Sequence, residues 1–262
     1  MNIVITAGGT SEPIDDVRAI TNSSSGKLGS IIANKLVNLP QVENIFYVCS
    51  KNSIKPKNNK KITIIHVKTV ENLLNSLKNL IFTQKIDVVI HGMAVSDYKV
   101  DYVSTAQNFA LNLSNKNADE IVQTINNNKN FAIKQNKISS YQDNLIIKLS
   151  QTPKVISHIK QWDKNIFLVG FKLLSNVKKE ELINVAKNLM LKNSCDMVVA
   201  NDIKYISQKN HKAQIITRDK IFEVQTKQQI ANKLKSIINE IYWEIFKNFD
   251  LPWFYVKVFY LP

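Results

Sequence analysis

The feature that most constrains this chain is its first stretch, residues 2–29, which joins an apolar run to a glycine turn and a run of serines. The run Ile3-Val4-Ile5 is typical of a buried strand, and Gly8 and Gly9 follow it. Glycine lets the backbone approach a ligand closely, and a helix N-terminus offers free N–H groups to an anion. A strand, a glycine turn and a helix capped by the serines of 23–25 therefore predict a phosphate-binding arrangement.

The rest of the chain alternates between apolar runs and helical periodicity, which is typical of a parallel sheet covered by helices. Helices are predicted at 26–39, 70–82, 178–191 and 226–246, with another beginning at Thr152 as its cap and Pro153 as its first residue. Strands are predicted at 3–5, 45–49, 62–67, 86–90, 145–149, 166–170 and 197–200, with a hairpin at 213–217 and 221–224. For the Asn-rich residues 101–135, a long loop, a short helix at 118–125 and a mobile flap remain open. The fold class is α/β: a Rossmann-like, mostly parallel sheet with helices on both faces.

Length and composition favour one globular domain. The chain has 262 residues, of which 44% are apolar, enough to bury a sizeable core. We expect a single domain over 1–246, followed by an aromatic tail of unknown role over 247–262. Cys49 and Cys195 have no partners at metal-ligand spacing. No apolar run is long enough to span a membrane and no signal peptide is evident, so we expect a cytoplasmic protein without a membrane partner.

The net charge of +14 allows two interpretations. A basic chain can bind nucleic acid, or its lysines can be spread over solvated faces. The dense cluster of lysines, 55–61, lies in a predicted loop rich in Asn. Because the other lysines are scattered, we favour the second interpretation, in which a basic surface helps to steer anionic substrates and nucleic acid is not a partner.

Two common nucleotide motifs are absent. A P-loop requires Gly-Lys followed by Ser or Thr, but Leu28 follows Gly26-Lys27. The dinucleotide fingerprint requires G-x-G-x-x-G after the first strand, but the turn here is Ala7-Gly8-Gly9-Thr10. These departures argue against an NAD(P)-dependent oxidoreductase, as does the lack of a Tyr-x-x-x-Lys pair.

A longer pattern is more specific. The segment ITAGGTSEPIDDVRAITNSSSGKLG at 5–29 resembles the opening of the phosphopantothenate–cysteine ligase family, which acts in coenzyme A biosynthesis. Further segments match in the family's order: AVSDY at 94–98, KISS at 137–140, TPKVI at 152–156, VGF at 169–171 and AND at 200–202. The resemblance extends from Met1 to the mid-230s, nearly the whole chain.

The resemblance implies a two-step reaction. The carboxylate of 4'-phosphopantothenate attacks the α-phosphate of a nucleoside triphosphate, usually CTP in bacteria, and pyrophosphate leaves. The amine of cysteine then attacks the acyl-nucleotidylate, and CMP leaves. Mg²⁺ would accompany the triphosphate, because its charge must be neutralised before an anionic nucleophile approaches. The resemblance also implies a homodimer with a smaller β-rich dimerisation region. Because the chain begins at the ligase's first strand, we expect the stand-alone form, without flavin.

The resemblance implies three catalytic residues, Asn22, Arg18 and Lys137. Asn22 matches the catalytic asparagine, and a neutral amide donor suits the acyl oxyanion. Arg18 carries a guanidinium that suits a carboxylate or phosphate, although an ion pair with Asp15 or Asp16 is its ordinary role. Lys137 matches a lysine that binds the triphosphate. Arg18, Asn22 and Ala94 are the predicted substrate-binding residues.

The predicted nucleotide site is larger. Its residues are Gly8, Gly9, Ser24, Ser25, Gly26, His91, Gly92, Met93, Asp97, Lys137, Pro153, Lys154, Val155, Ile156, Phe171, Lys187 and Lys192. The last two are alternatives for a family lysine whose alignment is ambiguous, and Leu174-Ser175 stands where the family often has Glu-Thr. No residue is predicted to ligate a metal directly, and His91 is given no acid–base role.

Three alternatives remain open on the sequence. The same enzyme can use ATP, since backbone groups can recognise a cytosine without leaving a motif. An oxidoreductase is disfavoured by the missing motifs. A non-catalytic module that binds nucleic acid is suggested by the net charge, and steep salt-dependent retention on DNA would identify it.

Overall fold

The computed structural model describes residues 1–127, 131–133, 137–139, 141, 144–207 and 209–247. In chain order its strands are β1 (Asn2–Ala7), β2 (Ser11–Pro13), β3 (Ala19–Thr21), β4 (Asn44–Cys49), β5 (Ile62–His66), β6 (Val88–His91), β7 (Tyr98–Thr105), β8 (Leu145–Gln151), β9 (Phe167–Leu174), β10 (Met197–Ile206), β11 (His211–Thr217) and β12 (Ile221–Val224). Its helices are α1 (Lys27–Leu36), α2 (Val70–Thr83), α3 (Ala106–Leu113), α4 (Ala118–Asn126), α5 (Val155–Trp162), α6 (Lys179–Asn193) and α7 (Lys227–Lys247).

A mostly parallel sheet forms the centre of the fold. Over the described residues it has eight strands in the order β12-β11-β10-β9-β6-β1-β4-β5. The run from β5 to β10 is parallel throughout, and only β11 and β12 join by antiparallel pairing. The chain winds outward from β1 in both directions, so the strand order reverses between β1 and β6. Ligands of open α/β sheets bind at the carboxyl ends of the strands beside such a reversal.

Helices cover both faces of the sheet, as predicted. α1 and α7 pack with the inner side chains of β1 and β4 on one face, and α2, α5 and α6 pack on the other. β1 shows why its sequence is continuously apolar: Ile3 and Ile5 belong to the first core and Val4 to the second, and none of the three is exposed. A strand buried on both faces has no polar side to present.

Two small antiparallel sheets stand apart from the central one, β2 with β3 and β7 with β8. The longer pair, β7–β8, forms a ribbon that carries α3 and α4. Phe131 is fully buried there, and its ring lies 5.6 Å from that of Tyr102. The ribbon fits the β-rich region that the sequence led us to expect, and its part in dimerisation stays a prediction.

Several local predictions need correction. The helix expected from Thr152 begins at Val155, with Lys154 as its N-cap, because the Thr152 hydroxyl donates to the Ser96 carbonyl instead. The N-cap of α1 is Gly26 and not a serine, although the Ser25 hydroxyl accepts the Lys27 N–H at 3.4 Å. The open segment 101–135 contains the end of β7 and both α3 and α4.

The C-terminal end is only partly described. The described residues stop at Lys247, within α7, and nearly all of the predicted tail, 247–262, lies outside them. Across the described part of the chain, no helix combines the length and apolarity needed to cross a bilayer.

Candidate active site

A cleft opens at the carboxyl ends of β1, β6, β9 and β10. Its volume is about 600 Å³, within the usual range of about 300–1,000 Å³ for small-molecule sites. We call it the first cleft. It is lined by Ala7, residues 23–29, residues 91–97, residues 153–156, residues 171–173, Leu189, Asn201, Ile203, Ile206, His211 and Lys227.

Gly26 lines this cleft and packs closely against Gly8, which lines neither this cleft nor the second cleft described below. Gly26 has φ +71°, and a Cβ there would lie 2.8 Å from the Ser53 Cβ and 3.3 Å from the Gly8 nitrogen. Gly8 has φ +84°, and its added Cβ would lie 2.3 Å from the Ser50 hydroxyl. Both positions therefore require glycine. Their close approach places Lys27, Leu28 and Gly29, the first turn of α1, in the cleft wall, where helix N–H groups favour an anion.

The exit of β6 is fixed by a buried threonine. The Thr6 hydroxyl lies 3.0 Å from His91 Nδ1 and accepts the N–H of Met93 at 3.1 Å. Burial lowers the pKa of His91 to about 4, because desolvation penalises the charged imidazolium. His91 therefore lines the cleft as a neutral group at pH 7.

An ion pair bridges two sides of the opening. Lys154 Nζ donates to the Asp97 carboxylate, and both side chains are well exposed. The backbone holds this pair in register, since the Thr152 N–H donates to the Asp97 carbonyl at 3.0 Å. An exposed pair of this kind is worth at most about 1 kcal/mol, so a charged ligand can displace either member.

The charge of the first cleft is strongly unbalanced. Asp97 is the single carboxylate among its described lining residues, against four lysines. These lysines are Lys27, Lys154, Lys172 and Lys227. Such a surface suits a polyphosphate, because each ammonium is a point charge with several donors.

An apolar wall faces these charges. Phe171 is part of this wall, and an added Cβ on Gly92 would lie 3.6 Å from the Phe171 ring. Ile156, Leu189 and Ile203 line the same cleft. Ile203 and the neighbouring Leu173 are more than half exposed. Apolar side chains left open beside lysines suit a ligand with a flat ring at one end and phosphates at the other.

A second cleft of about 680 Å³ lies at the carboxyl ends of β1, β4 and β5. It lies beyond residues 23–25, which we call the serine segment. It is lined by Gly9, Ser11, residues 21–24, residues 50–52, residues 66–68 and Asn72. Ser23 and Ser24 line both clefts, whereas Asn22 lines the second alone. The serine segment therefore separates the two clefts.

Asn22 is held firmly at this divide. Its N–H donates to the Thr10 carbonyl at 3.0 Å, and its side-chain amide donates to the Val95 carbonyl at 3.0 Å. A Cβ on Gly9 would lie 1.7 Å from the Asn22 carbonyl oxygen. Gly9 thus permits the contact that positions Asn22.

Arg18 lies outside both clefts within this single chain. It pairs with the Asp15 carboxylate, and its guanidinium also donates to the Ile138 carbonyl at 2.8 Å. Asp15 in turn accepts the N–H of Ile138 at 3.1 Å. Hydrogen bonds, those from Arg18 first, hold the pKa of Asp15 far below its usual range. These hydrogen bonds, which we call the clasp, hold Ile138 near Arg18, together with the exposed Lys137 next to it.

Lys187 and Lys192 are both exposed on α6 and line neither cleft. Most of the remaining predicted residues are brought together in the first cleft. Lining it are Ser24, Ser25, Gly26, His91, Gly92, Met93, Ala94, Asp97, Pro153, Lys154, Val155, Ile156 and Phe171. Among the described residues, no group of three or more His, Cys, Asp or Glu is arranged to hold a metal ion.

Sequence reasoning missed part of the first cleft. Lys172 directly follows the segment VGF, and Asn201 is the middle residue of the segment AND, so both positions carried a signal that was not used. His211 and Lys227 offered none, because antiparallel pairing of β11 with β10 brings His211 to this edge. His211 is 6% exposed and lies 3.2 Å from the Asn201 amide. Burial, and secondarily the charge of Lys227, lowers the pKa of His211 to about 4.

Comparison with known proteins identifies a family. The sequence model described as the DNA/pantothenate metabolism flavoprotein C-terminal domain matches residues 1–133 and 128–242. The chain is 31% identical over 237 residues to the coenzyme A biosynthesis bifunctional protein CoaBC of Thermococcus kodakarensis, covering 88% of this chain and 49% of that protein. The chain thus spans about half the length of the curated relatives it matches.

Solved structures agree with this assignment. The crystal structure of the DNA/pantothenate metabolism flavoprotein from Streptococcus pneumoniae superposes with a TM-score of 0.80 at 34% identity, covering 92% of this chain and 99% of that one. A Cab2 variant in complex with phosphopantothenate-cysteine superposes with a TM-score of 0.65 at 16% identity, covering 94% of this chain and 88% of that one. At that identity the second likeness concerns the fold alone.

Proposed function

Because this chain belongs to the DNA/pantothenate metabolism flavoprotein C-terminal domain family, we propose that it is a ligase that joins 4'-phosphopantothenate to cysteine. In the first step the carboxylate of 4'-phosphopantothenate attacks the α-phosphate of CTP, and pyrophosphate leaves. In the second step the amine of cysteine displaces CMP from the acyl carbon. Residues 1–246 would act as one ligase domain, and its place is in coenzyme A biosynthesis.

One observation carries the proposal: a cleft with four lysines, one carboxylate and an apolar wall lies directly beside a clamped asparagine. The base and ribose of CTP would pack against Phe171. The triphosphate would lie along the lysines and the first turn of α1, where N–H groups and ammonium groups compensate its charge. The α-phosphate would then lie beside Ser23 and Ser24, at the divide between the clefts.

Asn22 would act on the acyl group. Its amide is a neutral donor, and its clamped backbone keeps that donor in place without reorganisation during the reaction. Donors fixed in this way stabilise an oxyanion most effectively. One N–H of the amide would stay on the Val95 carbonyl, and its second N–H would donate to the acyl oxygen.

A magnesium ion fits this donor set. Asp97 offers one carboxylate at the cleft, and Mg²⁺ is typically held by one or two carboxylates together with substrate phosphates. When bound, the ion neutralises phosphate charge. Asp97 would hold it after releasing Lys154, which would then be free to contact a phosphate oxygen.

The homodimer remains part of the proposal. Arg18 and Lys137 lie outside both clefts of one chain, yet the clasp through Asp15 presents them together. A second copy docked through the β7–β8 ribbon would bring these cations to its neighbour's substrate. They would bind the phosphate of 4'-phosphopantothenate or the triphosphate there.

The direct test measures pyrophosphate release by the purified protein with 4'-phosphopantothenate and Mg²⁺, comparing CTP with ATP, with and without cysteine. We expect release with CTP, and the amide product only when cysteine is present. Release with ATP alone would support the ligase function and identify ATP, in place of CTP, as its nucleotide. Absence of release with either nucleotide would refute the proposal and favour the nucleic-acid module, which DNA retention at low salt would then detect.

A further inference from the structure

The second cleft has a chemistry of its own. Two lysines, Lys51 and Lys68, line it, and no Asp or Glu occurs among its described lining residues. Neither lysine forms an ion pair within the described part of the chain. The remaining lining groups are mainly hydroxyls and amides, such as Ser50 and Asn72. This surface suits a small anion with further polar groups, and it offers no broad apolar wall for a nucleobase.

We propose that the second cleft is the cysteine site, with Lys51 and Lys68 binding the amino acid's carboxylate. This inference rests on the proposed ligase function and deepens it. With the nucleotide in the first cleft, the acyl carbon lies at the divide formed by Ser23 and Ser24. A nucleophile must approach that carbon from a side that the nucleotide leaves open. Asn22 faces that side, since it lines the second cleft and not the first.

The positive charge of the second cleft also favours the deprotonated, reactive form of the cysteine amine. Cysteine arrives as an ammonium ion, which cannot attack. A site with two cations and no carboxylate disfavours the ammonium form, because like charges favour deprotonation. One proton leaves to solvent, the amine nitrogen bonds to the acyl carbon, and the bond from that carbon to the phosphate oxygen breaks. The nucleoside monophosphate departs with the electron pair, and the new amide nitrogen loses its second proton to solvent.

The test separates the two steps of the reaction. Lys51→Gln, Lys68→Gln and the double variant are compared with Lys60→Gln, which removes an exposed lysine that lines neither cleft. We expect the double variant to raise the KM for cysteine about tenfold, the factor expected for two exposed charge contacts acting together. Pyrophosphate release in the absence of cysteine should match that of Lys60→Gln.

Cysteamine, which is cysteine without its carboxylate, gives the decisive readout. The double variant should lose the wild-type preference for cysteine over cysteamine, an effect that a merely structural role of the lysines would not produce. An unchanged preference would overturn the assignment. A raised KM for 4'-phosphopantothenate in the first step would also overturn the assignment. It would indicate that the second cleft binds 4'-phosphopantothenate instead. If the wild type releases no pyrophosphate with CTP or ATP, both the proposed ligase function and the proposed cysteine site are refuted.

Discussion

The two clefts share a wall but differ in almost everything else. The first combines four lysines, one carboxylate and an apolar face, whereas the second combines two lysines with hydroxyls and amides. A polyphosphate with a flat base needs the first combination, and a small amino acid needs only the second. The difference teaches that the carboxyl end of β1, next to the reversal of strand order, borders two adjoining clefts of different chemistry, which Ser23 and Ser24 separate.

The sharpest test of this division is Asn22→Asp, at the shared wall. A carboxylate repels the acyl oxyanion, so we expect the second step to slow by about 10²- to 10³-fold, the cost of losing one oxyanion donor. Pyrophosphate release should persist, and the acyl-nucleotidylate should accumulate. Rapid-quench analysis of the intermediate would measure this, and full product formed at the wild-type rate would refute the role of Asn22.

The histidines of the two clefts also differ, since His91 is buried and His66 is exposed. The folded pKa of His91, about 4, is lower than its ordinary value of 6.5. Its contribution to stability is therefore complete above pH 6.5 and is lost as the pH falls towards 4, by about 3 kcal/mol in total. Urea unfolding at pH 7 and pH 5 would detect it.

In that experiment His91→Asn should flatten part of the pH dependence, and His66→Asn is the matched control. His211, whose pKa burial also lowers to about 4, keeps some of the slope in the His91 variant. Identical slopes for the His91 variant and the wild type would contradict the buried, neutral state of this residue.

Lys172→Gln should affect the first cleft alone. Because a hydrogen bond to a charged group is worth about 1.5–3 kcal/mol, we expect the KM for the nucleotide to rise at least about tenfold. The KM for cysteine should stay at the wild-type value, and Lys60→Gln is again the control. Equal rises in both constants would show that the clefts are not independent.

Gly26→Ala should disturb the lining of the first cleft. Alanine at φ +71° costs about 1–2 kcal/mol of left-handed strain, and its Cβ would also press on Ser53. Urea unfolding should show this loss, whereas Ser24→Ala, in the same segment and exposed, should leave stability nearly unchanged. A Gly26→Ala variant as stable as the wild type would refute the packing argument.

The smallest effect is expected at Lys137, which is exposed and lies outside both clefts. Lys137→Gln should reduce pyrophosphate release severalfold, in keeping with an exposed charge contact of at most about 1 kcal/mol. The effect should appear only at concentrations where the protein is dimeric, because the proposed contact is made to the neighbouring copy. Unchanged release would remove Lys137 from the first step.

The sequence predicted the central sheet well because parallel strands covered on both faces read as uninterrupted apolar runs. Its failures have physical causes. β9 and β10 continue to Leu174 and Ile206, but Lys172 and Asn201 interrupt their apolar pattern. α3 has no buried residue, so it carries no clear periodic signal. The ends of β9 and β10 are placed by pairing with each other and not by their own composition.

The candidate site was predictable to the extent that motifs carry it. Residues of the segments at 91–97, 153–156 and 171 do meet in one cleft. Motifs could not reveal the second cleft, because Lys51 and Lys68 come from separate loops without a recognisable pattern. The ion pair of Arg18 with Asp15 was one of the roles considered from the sequence, but the hydrogen bond from Arg18 to the Ile138 carbonyl, 120 positions away, could not be predicted.

The contact between Gly9 and Asn22 has a consequence for how sequences of this kind can vary. In a saturation-mutagenesis library, position 9 should tolerate glycine alone, although its backbone is not in the left-handed region that usually demands it. The restriction comes from a neighbour 13 positions away, whose carbonyl oxygen occupies the space of any Cβ. The restriction to glycine at position 9 is therefore a consequence of the requirement that residue 22 stay in place.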